Sequence, residues 1–331
     1  MKKVIFINFL IVIALIIFLE VLTRTFNIVG KQGYDQEAFY SEKDITFSKP
    51  NKNFIVYGIE TFTDEYGFRV PSQKFSYLKN KNFQLILGDS VTYGVGVREE
   101  NSFVGLLRSE LDSINLLNTA IFGHNLESYL YVLKKNSKKF EKKIDKVIIF
   151  LCLNDIVPHQ GVIFKGDSND DKVEKNLFER YVKNKLTLKL NVFLREKSSF
   201  FVLLKSILTN PVKRHYNYMN VLYDNNENLP QFEKYIQEIQ IFSKKNFLNI
   251  EFVLLPYAYQ VINDCRQDLL KPQNKIKKIF NKLNLELKDY TDKFCEESNK
   301  KQLFLTFDPV HLSKDGHKYV FNLLIKDKII N

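Results

Sequence analysis

Short apolar runs separated by longer amphipathic stretches constrain this chain more than any other feature. Phe83-Gln84-Leu85-Ile86-Leu87, Ile114 to Leu117, Val147-Ile148-Ile149-Phe150-Leu151 and Ile250 to Leu255 recur between stretches with helical periodicity. Runs this short and this uniformly apolar suit strands of a parallel sheet covered on both faces. The pattern predicts strands near Phe83–Leu87, Asn115–Asn118, Lys146–Leu151, Ile250–Leu255 and Gln302–Thr306. Between and after them it predicts helices near Asn101–Asp112, Leu126–Lys142, Gln231–Lys244, Lys275–Glu297 and Ser313–Ile325, the last with Ser313 as N-cap. Alternating strands and helices argue for a doubly wound α/β sandwich. In such sheets ligands bind outside the carboxyl ends of the strands.

The residues at those ends carry chemistry. Ser90 lies in Gly88-Asp89-Ser90, directly after the first run. Asn118 to Asn125, with Gly123 and His124, follows the second, and Cys152-Leu153-Asn154-Asp155 follows the third. Asp308-Pro309-Val310-His311 follows Leu303-Phe304-Leu305. A serine hydroxyl is a poor nucleophile until a histidine takes its proton, and an acid three residues before that histidine can hold it from the same loop. The serine stands in Gly-Asp-Ser-Val-Thr, without the Gly-x-Ser-x-Gly elbow of α/β-hydrolases.

Taken together, the four blocks resemble the SGNH, or GDSL, hydrolase family, from about Phe83 to the C-terminus apart from a long middle insert. The resemblance implies a three-layer α/β/α sandwich with a parallel, flavodoxin-like, five-stranded sheet. It implies a Ser90, His311, Asp308 triad and an oxyanion hole made by the Ser90 and Gly123 backbone N–H groups and the Asn154 side chain. It calls for no cofactor and no metal. One departure stands in the third block, where Cys152 holds a position usually taken by glycine; a side chain there is expected to crowd the pocket wall.

Val4 to Leu22 is almost wholly aliphatic or Phe, interrupted by Asn8 and Glu20. That length approaches the ~20 residues that span a bilayer as a helix, and no small-residue cleavage site follows it. Residues 1–25 are therefore expected to be a transmembrane anchor, with a cleaved signal as the alternative. Lys2 and Lys3 favour a cytoplasmic start, which puts the remaining chain outside. Residues 26–82 read as a linker and accessory segment with short strands. Residues 83–331 read as the hydrolase-like domain, with a helical insert at about 156–249 that contains the helical pattern Val192 to Leu208.

The net charge of +11, from 49 basic and 38 acidic side chains, is spread as lysine, and its densest cluster, Lys134 to Lys143, has the spacing of a solvated helix face. No nucleic-acid motif accompanies it. Cys152, Cys265 and Cys295 make an odd count. Free thiols are the default; Cys265 with Cys295 is the pair that could bridge, since Cys152 belongs beside the active-site strand. No Cys/His spacing suggests zinc. Tyr66-Gly67-Phe68-Arg69 is similar to a segment found ahead of the GDS block in membrane-anchored relatives, and Arg69 is expected at a surface turn or on substrate. His317 reads as structural, His124 as a pocket-rim residue, and His159 and His215 have no informative partner.

The expected activity is that of a membrane-anchored, extracytoplasmic serine esterase removing acyl groups, acetyl foremost, from a glycan or similar ester. The alternatives are an O-acetyltransferase on a surface polysaccharide, working with a membrane acyl-transfer partner, and a catalytically silent glycan-binding module. A phospholipase is a further possibility given the anchor.

Overall fold

The computed structural model describes residues 1–111, 113–140, 143–157, 185–225 and 227–330, with backbone alone for 185–188. His159, Asp112, Lys142 and residues 158–184 of the expected insert lie outside the described residues.

Five short strands come first: Phe39–Glu42 (β1), Ile45–Ser48 (β2), Asn53–Val56 (β3), Ile59–Thr63 (β4) and Arg69–Val70 (β5). β1 and β2 form a hairpin, and β3, β4 and β5 a second antiparallel sheet. Both two-residue turns use left-handed backbone, at Lys43-Asp44 and at Tyr57-Gly58, the geometry that matches strand twist in tight hairpins.

The central sheet contains Phe83–Leu87 (β6), Asn115–Asn118 (β7), Ile144–Leu151 (β8), Asn249–Leu254 (β9) and Lys288–Asp289 (β10). The strands are all parallel and run in the order β10-β9-β8-β6-β7. This is the flavodoxin-like order, with the order of strand addition reversing between β6 and β8. Val147 to Leu151 are fully buried because helices cover both faces. On one face Phe103–Glu110 packs with Lys314–Lys326, and the Phe103 ring sits 4.6 Å from that of Phe150. On the other, Leu126–Lys139 packs with Asn228–Lys245, and Lys271–Lys282 presents Phe280 to Phe252 at 5.0 Å. Burying each such side chain contributes roughly 1.5–3 kcal/mol.

Two expected elements are corrected. Gln302–Thr306 is not the fifth strand. Lys300–Leu303 is a 3₁₀ turn, and Phe304 bridges antiparallel to Leu312 on its own returning chain. Leu305 N donates to His311 O and Ser313 N to Leu303 O, so this segment folds back on itself around Asp308 rather than joining the sheet. The edge position goes to β10. The single helix expected over Lys275–Glu297 is likewise divided into Lys271–Lys282, β10 and Thr291–Glu296. Asn284, at φ 50°, ends the first piece, and Leu285 N donates back to Phe280 O. That is a left-handed helix stop of the kind asparagine accommodates.

The pattern Val192 to Leu208 also divides, into Lys185–Lys197 and Ser199–Thr209. Ser198 Oγ accepts from Phe201 N at 3.0 Å and so starts a new helix. Pro211–Leu222 follows as a third helix of the insert.

Lys2–Thr25 is a continuous, exposed apolar helix, and among the described residues it is the one long and apolar enough to cross a membrane. Its last turns are tied to the insert. The Glu20 carboxylate accepts from Ser198 Oγ and from the backbone N–H groups of Ser199 and Phe200, at 2.7–3.0 Å, while Arg24 donates to Lys197 O. Cys265 and Cys295 are joined as a disulfide, with Cα atoms 6.0 Å apart, in place of the default free thiols.

Candidate active site

β6 ends at Leu87, and Gly88 lets the chain turn sharply into the one-turn helix Ser90–Tyr93. A Cβ at Gly88 would lie 2.1 Å from Thr92 Oγ1, so no side chain is accommodated there. Asp89 is the N-cap: its Oδ1 accepts from Val91 N at 2.9 Å. Its Oδ2 accepts from Asn154 Nδ2 at 2.8 Å, across from the β8 end. Tyr257, after β9, donates its hydroxyl to Asn154 Oδ1 at 2.8 Å. These two bonds fix which way the Asn154 amide faces and leave its second N–H free for the cavity.

The returning loop around Asp308 supplies the rest. Asp308 Oδ1 accepts from Val310 N and His311 N at 2.9 and 2.8 Å, and Oδ2 lies 2.8 Å from His311 Nδ1. His311 Nε2 lies 2.9 Å from Ser90 Oγ. Burial alone would raise the Asp308 carboxyl, but facing His311 and the hydrogen bonds it accepts hold it below the usual range. Burial alone would lower His311; the Asp308 carboxylate overrides it and raises the imidazole above its ordinary value. An imidazole so placed can take the serine proton while its other nitrogen stays protonated toward Asp308.

Gly123 has φ +81°, a left-handed backbone that glycine adopts without strain, and it faces the same cavity as Ser90, Asn154, Asp308 and His311. Neither the Ser90 N–H nor the Gly123 N–H has a backbone partner among the described residues. Ser90, Gly123 and Asn154 therefore line one cavity with donors not spent on the backbone, groups of the kind that can meet an oxyanion.

Cys152 departs from its expectation. It is 1% exposed and does not line the cavity. Its N–H donates to Asp155 Oδ2 at 2.8 Å, and Asp155 Oδ1 accepts from Tyr129 Oη at 2.8 Å, so Asp155 forms a buried brace behind the pocket. Burial pushes the Cys152 thiol well up, with Asp89 and Asp155 adding to it.

Arg69 is neither a surface turn residue nor a substrate contact. It is 2% exposed and donates to the carbonyls of Tyr93, Gly94 and Val97, fixing the loop that follows the helix Ser90–Tyr93. His317 is fully buried and accepts from Phe103 N at 3.2 Å, away from the cavity. His124 does line the cavity, with Nε2 2.8 Å from Thr46 O.

The sequence reading missed several wall residues. Tyr57, in the β3–β4 turn, sets its ring edge-on to His311 with centroids 5.6 Å apart. Gln32, Tyr34 and Thr46 also line the cavity, so the accessory segment supplies part of its wall. The insert supplies the rest, including Arg195, Lys205, Arg214 and His215. Burial pushes His215 down to about 4 and keeps it neutral. Its side chain reaches the cavity from a helix whose docking no local spacing announces.

The family profile described as GDSL-like Lipase/Acylhydrolase matches residues 85–324, and the chain belongs to that family. It is a serine hydrolase of the SGNH/GDSL type acting on ester bonds, not a silent binding module. No curated protein sequence matches it. Solved structures similar to it include a member of the lipolytic protein G-D-S-L family from Veillonella parvula, at 13% identity and TM-score 0.40, covering 74% of this chain and 96% of that one. Another is the lipase/acylhydrolase from Enterococcus faecalis, at 14% and 0.41, covering 74% and 94%. A third is Axe2, an acetylxylan esterase from Geobacillus stearothermophilus, at 16% and 0.41, covering 76% and 95%.

Proposed function

We propose that the chain is a membrane-anchored, extracytoplasmic esterase that removes acyl groups, acetyl foremost, from a glycan or similar surface molecule. The observation that carries the catalytic part is the position of His311, within hydrogen-bond reach of both Ser90 Oγ and Asp308 Oδ2. Ser90 Oγ attacks the ester carbonyl as His311 Nε2 takes its proton. Asp308 keeps Nδ1 protonated and stabilises the imidazolium. The Ser90 and Gly123 N–H groups and the Asn154 amide meet the oxygen that becomes negative. Collapse expels the alcohol with the proton from His311; water, deprotonated by the same imidazole, then attacks the acyl-enzyme, and the acid leaves as Ser90 Oγ regains its proton.

Retention of the N-terminal helix as an anchor is supported by Glu20. Its carboxylate caps the helix Ser199–Thr209, and removing residues 1–25 would strip that cap from the insert. A mature N-terminus found beyond Leu22 would show a removed signal instead.

Transfer of the acyl group to a sugar hydroxyl is the second reading. The cavity of about 730 Å³ under the insert favours it, since an acetyl group fills a small part of that space. The test is to give the purified protein an activated acetyl ester with and without oligosaccharide acceptors. Acetate release in water alone supports the esterase. Efficient acetylation of acceptors with negligible hydrolysis would reverse the order of the two readings.

A further inference from the structure

Among the described residues, the roof of the cavity gathers three cations and no acid. Arg195 in Lys185–Lys197, Lys205 in Ser199–Thr209 and Arg214 in Pro211–Leu222 line the same cavity as Ser90 and His311. They sit on three successive helices, brought together by the breaks at Ser198 and at Asn210, which has φ 40°. Their partners are neutral. Arg195 gives Nε and Nη2 to Gln32 Oε1 at 3.0 and 2.6 Å, and Lys205 gives Nζ to Asn191 Oδ1 at 2.5 Å. Arg214 makes no side-chain hydrogen bond or ion pair with the described residues. The one carboxylate among the described lining residues, Asp308, is committed to His311. Glu196, beside Arg195, packs its side chain on Gly33 and adds to the upward push on the Tyr34 hydroxyl.

Like charges held together in a half-dry cavity repel one another, and an anion entering between them relieves that repulsion. Burial pushes Lys205 down to about 8, and Arg195 and Arg214 add to the fall. Two guanidinium planes and one ammonium are the donors that bind carboxylate or phosphate oxygens from several sides.

We propose that the ester substrate is itself an acid, its carboxylate or phosphate seated by Arg195, Lys205 and Arg214 while its acyl ester reaches Ser90. The proposal rests on the esterase reading and narrows its substrate class. An acidic sugar polymer and a phosphorylated acyl carrier share this chemistry.

Three aryl acetates of similar size separate the cases: 4-acetoxybenzoate, its neutral methyl ester, and 4-acetoxyphenyl phosphate, each given to the full-length chain in neutral detergent. The parent should show a lower KM for a charged ester than for the neutral one, and the better charged ester distinguishes carboxylate from phosphate. Arg214→Gln and Lys205→Met should each raise KM for that ester about tenfold, with kcat/KM on the neutral ester held within about twofold. Equal KM values for all three esters, or equal losses on neutral and charged esters, overturn the proposal. If the parent cleaves none of the three, the esterase reading fails. The anion site is then judged by calorimetry with benzoate and phenyl phosphate: weaker binding to Arg214→Gln supports it, and equal binding overturns it.

Discussion

The floor of the cavity and its roof differ in how they hold their polar groups. On the floor each carboxylate oxygen has an assignment: Asp89 takes Val91 N and Asn154 Nδ2, and Asp308 takes two backbone N–H groups and His311. In the roof, Arg195 and Lys205 rest on neutral amides and Arg214 has no hydrogen-bond partner among the described residues, and Leu204, Ile207 and Leu208 are 44%, 62% and 75% exposed. The floor is pre-organised for a reaction that needs fixed geometry. The roof is left open to a ligand and, on its outer side, to an apolar neighbour. A floor substitution should therefore change kcat on any ester, and a roof substitution should change which ester is taken.

The largest expected effect is on the floor. Ser90→Ala should lower turnover of a short activated ester by about 10³-fold or more. A fluorophosphonate probe should label the parent at Ser90 alone; labelling elsewhere would move the reaction away from this floor. Asn154→Ala should lower kcat by roughly 10²–10³-fold with KM little changed, read from full kinetic curves. A loss confined to KM would make Asn154 a ground-state contact and blur the division from the roof.

The pH profile gives a smaller and more specific readout. His311 must be neutral to accept the proton, and its pKa is raised by Asp308. The acid limb of kcat/KM should therefore lie above the ordinary histidine value of about 6.5, with activity rising as pH rises through it. Asp308→Asn should move that limb downward in addition to slowing the reaction. An unmoved limb would mean that Asp308 does not set the charge of His311. With His311 raised and Asp308 lowered, the pair stabilises the fold most between about pH 4 and 6.5, less as pH climbs through the folded His311 value and less as it falls through the folded Asp308 value.

The smallest effect belongs to the join between anchor and roof. Glu20→Ala removes one of the two groups that cap Ser199–Thr209, leaving Ser198 Oγ on Phe201 N, at a cost of about 1 kcal/mol by comparison with other lost caps. Limited proteolysis should cut the insert faster, while turnover of a small neutral ester stays within about twofold. A loss as deep as that of Asn154→Ala would show that roof and floor are one unit.

Much of the floor was readable in the sequence because its parts are short and local. Gly88-Asp89-Ser90 needs one turn, and Asp308 and His311 share one loop. The strand runs were legible because full burial demands uniform apolarity. Gln302–Thr306 misled because its Leu and Phe are buried by a loop folding on itself, which leaves the same apolar signature as a strand. The break at Asn284 depended on one residue in left-handed backbone. The roof was the least readable. Arg195, Lys205 and Arg214 meet only because Ser198 and Asn210 divide the helices, and no periodicity along the chain marks their common side. Arg69 shows the opposite error: a charge expected near the surface is consumed by three backbone carbonyls.

Cys152 gives the molecule a built-in clock. With Cys265 and Cys295 joined, it is the single thiol left to react, and it is buried and held protonated behind β8. Alkylation needs both exposure and a thiolate, so the folded form should be silent to thiol reagents. Each labelling event then counts an excursion in which the strand end carrying Asn154 has come loose. At high reagent concentration the labelling rate approaches the opening rate itself, and at low concentration it reports how often the open form is populated. The thiol behind the end of β8 thus times the opening of the central sheet from within.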